Sequence, residues 1–175
     1  PDWSPLDLVG HGLNIKRSDY MLSLCHTALV NRPYLPAEIR RAEAVATVID
    51  LAASHDPAML TTGQIATAMG VSQGALFRHF PDKMAIWTAV LEATRAELNH
   101  RFDMLAAGPP LARLEAMLNA HVDFIMARPG VPRILFGELQ RPGITPGKAI
   151  VCKLMAEYRA RVASELVQAA ESGEI

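Results

Sequence analysis

TTGQIATAMGVSQGALFRHFPDK, residues 61–83, reads as two short helices joined by a tight glycine turn. Thr61 can cap the first helix, and Gln64 stands three residues on, where the partner of a capping box belongs. Ile65, Ala66 and Met69 repeat at helical spacing. Gly70 follows them at the place where a helix end favours a left-handed residue. Ser72 can cap the second helix, Leu76, Phe77 and Phe80 supply its apolar side, and Pro81 stops it. The pattern is that of a helix-turn-helix, whose second helix fits the DNA major groove.

A plain helical hairpin packed into a core has the same outline. The residues left outside favour the DNA reading. Ser72, Gln73, Arg78 and His79 can all hydrogen-bond, and Gly74 and Ala75 are too small to block close approach. Such a surface can meet base edges and phosphates.

The run IATAMGVSQGALFRHFPDK resembles the signature of TetR-type (TetR/AcrR) transcriptional regulators. It shares their alanine-rich helix, Gly-Val-Ser turn, aromatic-x-His-Phe recognition helix and following lysine. The likeness continues into the following helix with Trp87 and Leu91, and it extends upstream to about Arg40 and, more loosely, downstream to the chain end. The resemblance implies that Ser72, Gln73, Gly74 and Ala75 face the groove, with Gln73 paired to adenine. It implies that Arg78 and His79 reach backbone or base edges, Lys83 a phosphate, and Thr61 and Thr62 the backbone at the supporting helix. Phe77 stands where the family often has tyrosine, so no hydroxyl is offered to a phosphate, and core packing is the competing role. Gly63 stands where many relatives carry a longer polar side chain.

Composition sets the frame. The chain has 175 residues, half of them hydrophobic and few aromatic, with alanine plentiful. That favours an all-α fold. No apolar run reaches the length that spans a membrane. The two cysteines, Cys25 and Cys152, show neither paired nor metal spacing, and a reducing cytoplasm is the expected compartment. Lys and Arg number 17 against 18 Asp and Glu. From residue 40 to 83, Arg40, Arg41, Arg78 and Lys83 balance Glu43, Asp50, Asp56 and Asp82. So few cations predict modest DNA affinity that depends on dimerisation.

Residues 1–35 have no clear period, apart from a short apolar stretch at 21–30, and are expected to be an irregular extension. Residues 36–83 form the expected DNA-binding domain. Its first helix runs from about Pro36 to Ser54 on a stripe of Ala42, Val45, Ile49 and Ala52, with Ala46 and Ala53 beside it. Residues 84–175 form the expected regulatory domain, with helices at 84–106, 111–128, 131–140 and 146–171. Gly108-Pro109-Pro110 breaks the first of these from the second, and the second carries Leu111, Leu114, Leu118, His121 and Ile125 at helical steps. The resembling family adds two further helices after the point where this sequence stops, so its mode of dimerisation stays open.

No P-loop, GxGxxG, HExxH or nucleophile elbow occurs, so neither an enzyme activity nor a cofactor is expected. The six histidines lack ligand spacing, and Cys25 and His26, being adjacent, point apart on a helix. A ligand cavity is expected in the second part, lined by Trp87, Met104, Met117, His121, Phe124, Phe136, Met155 and Tyr158. Methionines suit an adaptable apolar pocket; ordinary core packing is the competing role for each. The reading is a repressor that binds a palindromic DNA operator as a homodimer and is released by a small, mainly apolar effector. A helical ligand-binding or assembly module without DNA function is the alternative.

Overall fold

The computed structural model describes residues 36–175. The readings made on residues 1–35 fall outside them. Among the described residues there are seven helices and no strand: α1 Ala37–Ser54, α2 Thr62–Ala68, α3 Gln73–Phe77, α4 Lys83–Asp103, α5 Pro110–Ala127, α6 Gly130–Gln140 and α7 Pro146–Ser172. None is long and apolar enough to cross a membrane.

The helix starts follow capping chemistry. Asp82 accepts from the Ala85 amide at 2.7 Å and opens α4, and Thr145 accepts from the Lys148 amide at 3.0 Å and opens α7. Gly173 closes α7 in the left-handed region at φ 75°. The long helix α4 ends at Asp103, three residues short of the expected Ala106, and α5 begins at Pro110 behind the Gly-Pro-Pro break.

One apolar cluster runs from Ala44 and Val48 through Leu60, Phe80 and Trp87 to Val151 and Leu154. Helix α1 packs on both α4 and α6. It therefore buries a broader face than its sequence stripe suggests. Ala44 and Val48 are fully enclosed beside Val45, Ile49 and Ala52, whereas Ala53 is exposed. Helix α5 also departs from its sequence stripe at one position. Met117 and Phe124 are its buried residues, while Leu118, expected on the inner stripe, is 56% exposed.

The tightest approach lies where α6 begins. A Cβ at Gly130 would stand 2.0 Å from the Ile49 carbonyl oxygen and 3.0 Å from the Ala53 nitrogen. Only a residue without a side chain lets α6 seat its first turn on the backbone of α1. On the other side, α4 is tied to α7 by Arg95 and Asn99, both donating to Glu157 at 2.8 Å, and by Arg161 donating to Asp103 at 2.7 Å. These pairs are part-exposed and orient the helices more than they stabilise them.

Candidate nucleic-acid interface and effector cleft

Helix α2 opens with a complete capping box. Thr61 Oγ1 accepts from the Gln64 amide at 3.1 Å, and Gln64 Oε1 accepts from the Thr61 amide at 2.8 Å. The helix ends in a Schellman turn. Gly70 takes φ 63°, its amide donates to Thr67 O, and the Val71 amide donates to Ala66 O, both at 2.9 Å. Ser72 Oγ then accepts from the Ala75 amide at 3.1 Å and starts α3. Leu76 and Phe80 are buried and anchor α3 to the core, each contributing about 1.5–3 kcal/mol of burial. From α1, the Arg41 guanidinium lies 4.5 Å from the Phe80 ring centroid and donates to His79 O at 2.5 Å. The end of α3 is thus clamped from behind.

That clamp leaves one side of α3 open. Ser72, Gln73, Gly74, Phe77 and Arg78 are exposed, and Ala75 and His79 are half-buried. Phe77 is 41% exposed, so its ring is not core. A Cβ at Gly74 would meet nothing closer than Ser72 Oγ at 4.0 Å, which leaves room for close approach. Gln73 Nε2 donates to Thr62 Oγ1 at 2.6 Å and joins the two helices of the motif. Lys83 faces elsewhere: its Nζ donates to Ala58 O at 3.2 Å and sits 5.4 Å from the Trp87 ring centroid.

A second feature lies between α4, α5, α6 and α7. A largely apolar cleft of about 500 Å³ is lined by Thr94, Leu98, Leu135, Phe136, Met155 and their neighbours. Its polar centre is His121 Nδ1 hydrogen-bonded to Tyr158 Oη at 3.2 Å, with the rings edge to face and their centroids 5.1 Å apart. Burial pushes the His121 imidazole below its ordinary value, which favours the neutral ring. Cys152 and Arg159 complete the wall on α7.

Residues 46–90 match the model for bacterial regulatory proteins of the tetR family. A tetR-family transcriptional regulator from Streptomyces coelicolor superposes with a TM-score of 0.64 at 25% identity, over 75% of this chain and 60% of that one. Residues 46–90 are thus similar to the DNA-binding part of tetR-family regulators, and the fold as a whole resembles theirs. Among curated relatives, nucleoid occlusion factor SlmA of Idiomarina loihiensis is 29% identical over 101 residues, covering 57% of this chain and 52% of the relative. The SlmA of Actinobacillus pleuropneumoniae serotype 5b is 31% identical over 111 residues, covering 62% and 55%. The chain spans about half the length of these relatives.

Within this fold, the residues expected at DNA gather on one surface around α3, except Lys83, which turns toward the Ala58 carbonyl and the Trp87 ring. Of the eight residues expected at an effector, His121, Phe124, Phe136, Met155 and Tyr158 share the apolar cleft. Trp87 lies at the opposite end of α4 in a separate cleft, and Met117 lines a third beside Arg113 and Glu165. Met104 falls just past the end of α4 and is 72% exposed. Sequence reasoning passed over Thr94, Leu98 and Leu135. The steps Leu91, Thr94, Leu98 and Phe102 form a stripe on α4 that carried the signal.

Proposed function

We propose that this chain is a DNA-binding transcriptional regulator, a repressor that holds a palindromic operator as a homodimer and lets go when an apolar effector fills the α4–α7 cleft. The observation that carries the reading is the exposed polar side of α3, Ser72, Gln73 and Arg78, presented by a fully capped helix-turn-helix. The Streptomyces coelicolor neighbour, described as a transcriptional regulator, supports it. Gln73 and Arg78 read base edges, Ser72 and His79 meet the backbone, and Phe77 lies against a thymine methyl. Thr61 and Thr62 place the supporting helix on the phosphates. Such work belongs in the cytoplasm and calls for no catalysis.

A second copy is needed to span two half-sites. Leu118, Val122 and Met126 form an uncovered apolar row on α5, a face suited to pairing. Release follows from two rigid links between cleft and reading head. Helix α4 runs from Lys83 beside the motif to Leu98 in the cleft wall, and α6 rests on α1 through Gly130. An effector that favours one arrangement of α4 and α6 changes the spacing of the two α3 helices.

The test is a gel shift with the DNA adjoining the protein's own gene. Arg78→Ala and Gln73→Ala should each weaken specific binding by about 1–3 kcal/mol while the circular dichroism spectrum stays that of the parent. Parent-like binding in both variants, or no specific shift by the parent, refutes the DNA reading and favours an effector-binding module without DNA function. The near balance of charge in residues 40–83 is the feature that keeps that second reading in play.

A further inference from the structure

Lys83 at the start of α4, Arg133 on α6 and Arg141 just beyond α6 line one cleft of about 280 Å³. It shares no lining residue with the apolar effector cleft. The Asp56–Ala58 segment of the α1–α2 connection closes one side, and Met84, Trp87 and Ile134 supply an apolar wall. The cleft thus lies between the reading head and α6, at the small end of the range for ligand sites.

Its charges are not matched. The acids in the lining are Asp56 and Glu138. Glu138 is buried and already accepts from Thr145 Oγ1 and from Arg141 Nη1. Asp56 accepts from the Ala58 amide at 3.0 Å. Among the described residues neither Lys83 nor Arg133 has a salt bridge: Lys83 donates to Ala58 O at 3.2 Å and Arg133 Nη1 to Ala53 O at 2.9 Å, both neutral acceptors. Burial, and then the neighbouring Arg141 charge, push the Lys83 ammonium below its ordinary value. An anion placed between these groups removes that repulsion and gains charge-assisted hydrogen bonds.

We propose that this cleft is a second ligand site, for a small anion with a short apolar body, its carboxylate or phosphate on Lys83, Arg133 and Arg141 and its body against Trp87. Arginine forks suit both head groups. The Trp87 ring, with its neighbours Met84 and Ile134, takes the alkyl or aromatic part. Because the donors sit on α4 and α6 and the 56–58 segment closes over them, an occupant fastens the head to α6.

Trp87 is the built-in reporter. The sequence has two tryptophans, so a Trp3→Phe background leaves Trp87 as the sole indole. Butyl phosphate, pentanoate and butanol are titrated against this protein without DNA, following Trp87 emission. One or both anions should give a saturable change, and butanol none; the anion with the lower midpoint identifies the head group. Arg133→Gln should raise that midpoint about tenfold, the loss expected for one charge-assisted hydrogen bond. Lys83→Gln is the second, independent variant with the same expectation. The proposal is overturned if neither anion saturates by about 10 mM, beyond the range of a weak small-molecule site. It is equally overturned if butanol does as well, or if both variants keep the parent midpoint.

Discussion

Gly130→Ala should damage this protein far more than a single methyl normally does. The added Cβ would stand 2.0 Å from Ile49 O and 3.0 Å from Ala53 N. Ordinary non-bonded separation is about 3.5 Å, so α6 must retreat from α1 by about 1.5 Å. The obstacle is helix backbone, which cannot swing aside like a side chain. Overpacking of this kind costs about 3 kcal/mol, the upper end of the usual range. For a chain of this size that corresponds to a fall in Tm of about 6–12 °C. Gly137→Ala on the same helix is the matched control, since a Cβ there meets nothing within 4 Å. Removing that glycine's backbone freedom should leave stability equal or raise it by about 0.5–1 kcal/mol. Thermal unfolding followed by circular dichroism at the helix band measures both. If Gly130→Ala melts within about 2 °C of the parent, a difference below 1 kcal/mol, the close seating of α6 on α1 is wrong.

Two further outcomes follow from local geometry. Gly70→Val places a β-branched residue at φ 63° and should lower stability by about 1 kcal/mol or more, and an unchanged urea midpoint would show that the turn does not need the left-handed residue. Burial holds the folded His121 pKa below 6.5, so as the pH falls the unfolded chain takes up this proton first. Stability from this group is therefore intact above the unfolded value and lost as the pH drops toward the folded one. His121→Leu should flatten that part of the urea midpoint measured from about pH 7 to 5, and an undiminished slope would remove His121 as its source.

The parts legible in the sequence were those set by a few neighbouring residues. Thr61 with Gln64, Gly70 and Ser72 announce their capping roles by type and spacing, and the structure gives each its expected bond. What depended on packing between distant segments was less legible. The burial of Ala44 and Val48 needs both α4 and α6 against α1. The exposure of Leu118 depends on which side of α5 meets α7. Met104 and Trp87 sit on the same apolar-rich segment as Leu98, yet one lies beyond the helix end and the other near its start, so neither reaches the cleft that Leu98 lines. Lys83 looked like a phosphate contact by position. The nearby Ala58 carbonyl and Trp87 ring, which no local pattern places there, draw it away.

The unbroken core has a practical consequence for building hybrid regulators. Phe80 and Leu60 of the reading head and Val151 and Leu154 of the last helix belong to one apolar cluster, with Trp87 and Leu91 between them. A cut at residue 83, the boundary expected from the sequence, would split that cluster and strip its middle from one side. A head transplanted from a relative must therefore bring its own partner surface: the first turns of α4 through Leu91 and the opening of α6 at Gly130. Hybrids joined at those points should fold in one cooperative step, whereas hybrids joined at residue 83 should expose apolar surface and aggregate.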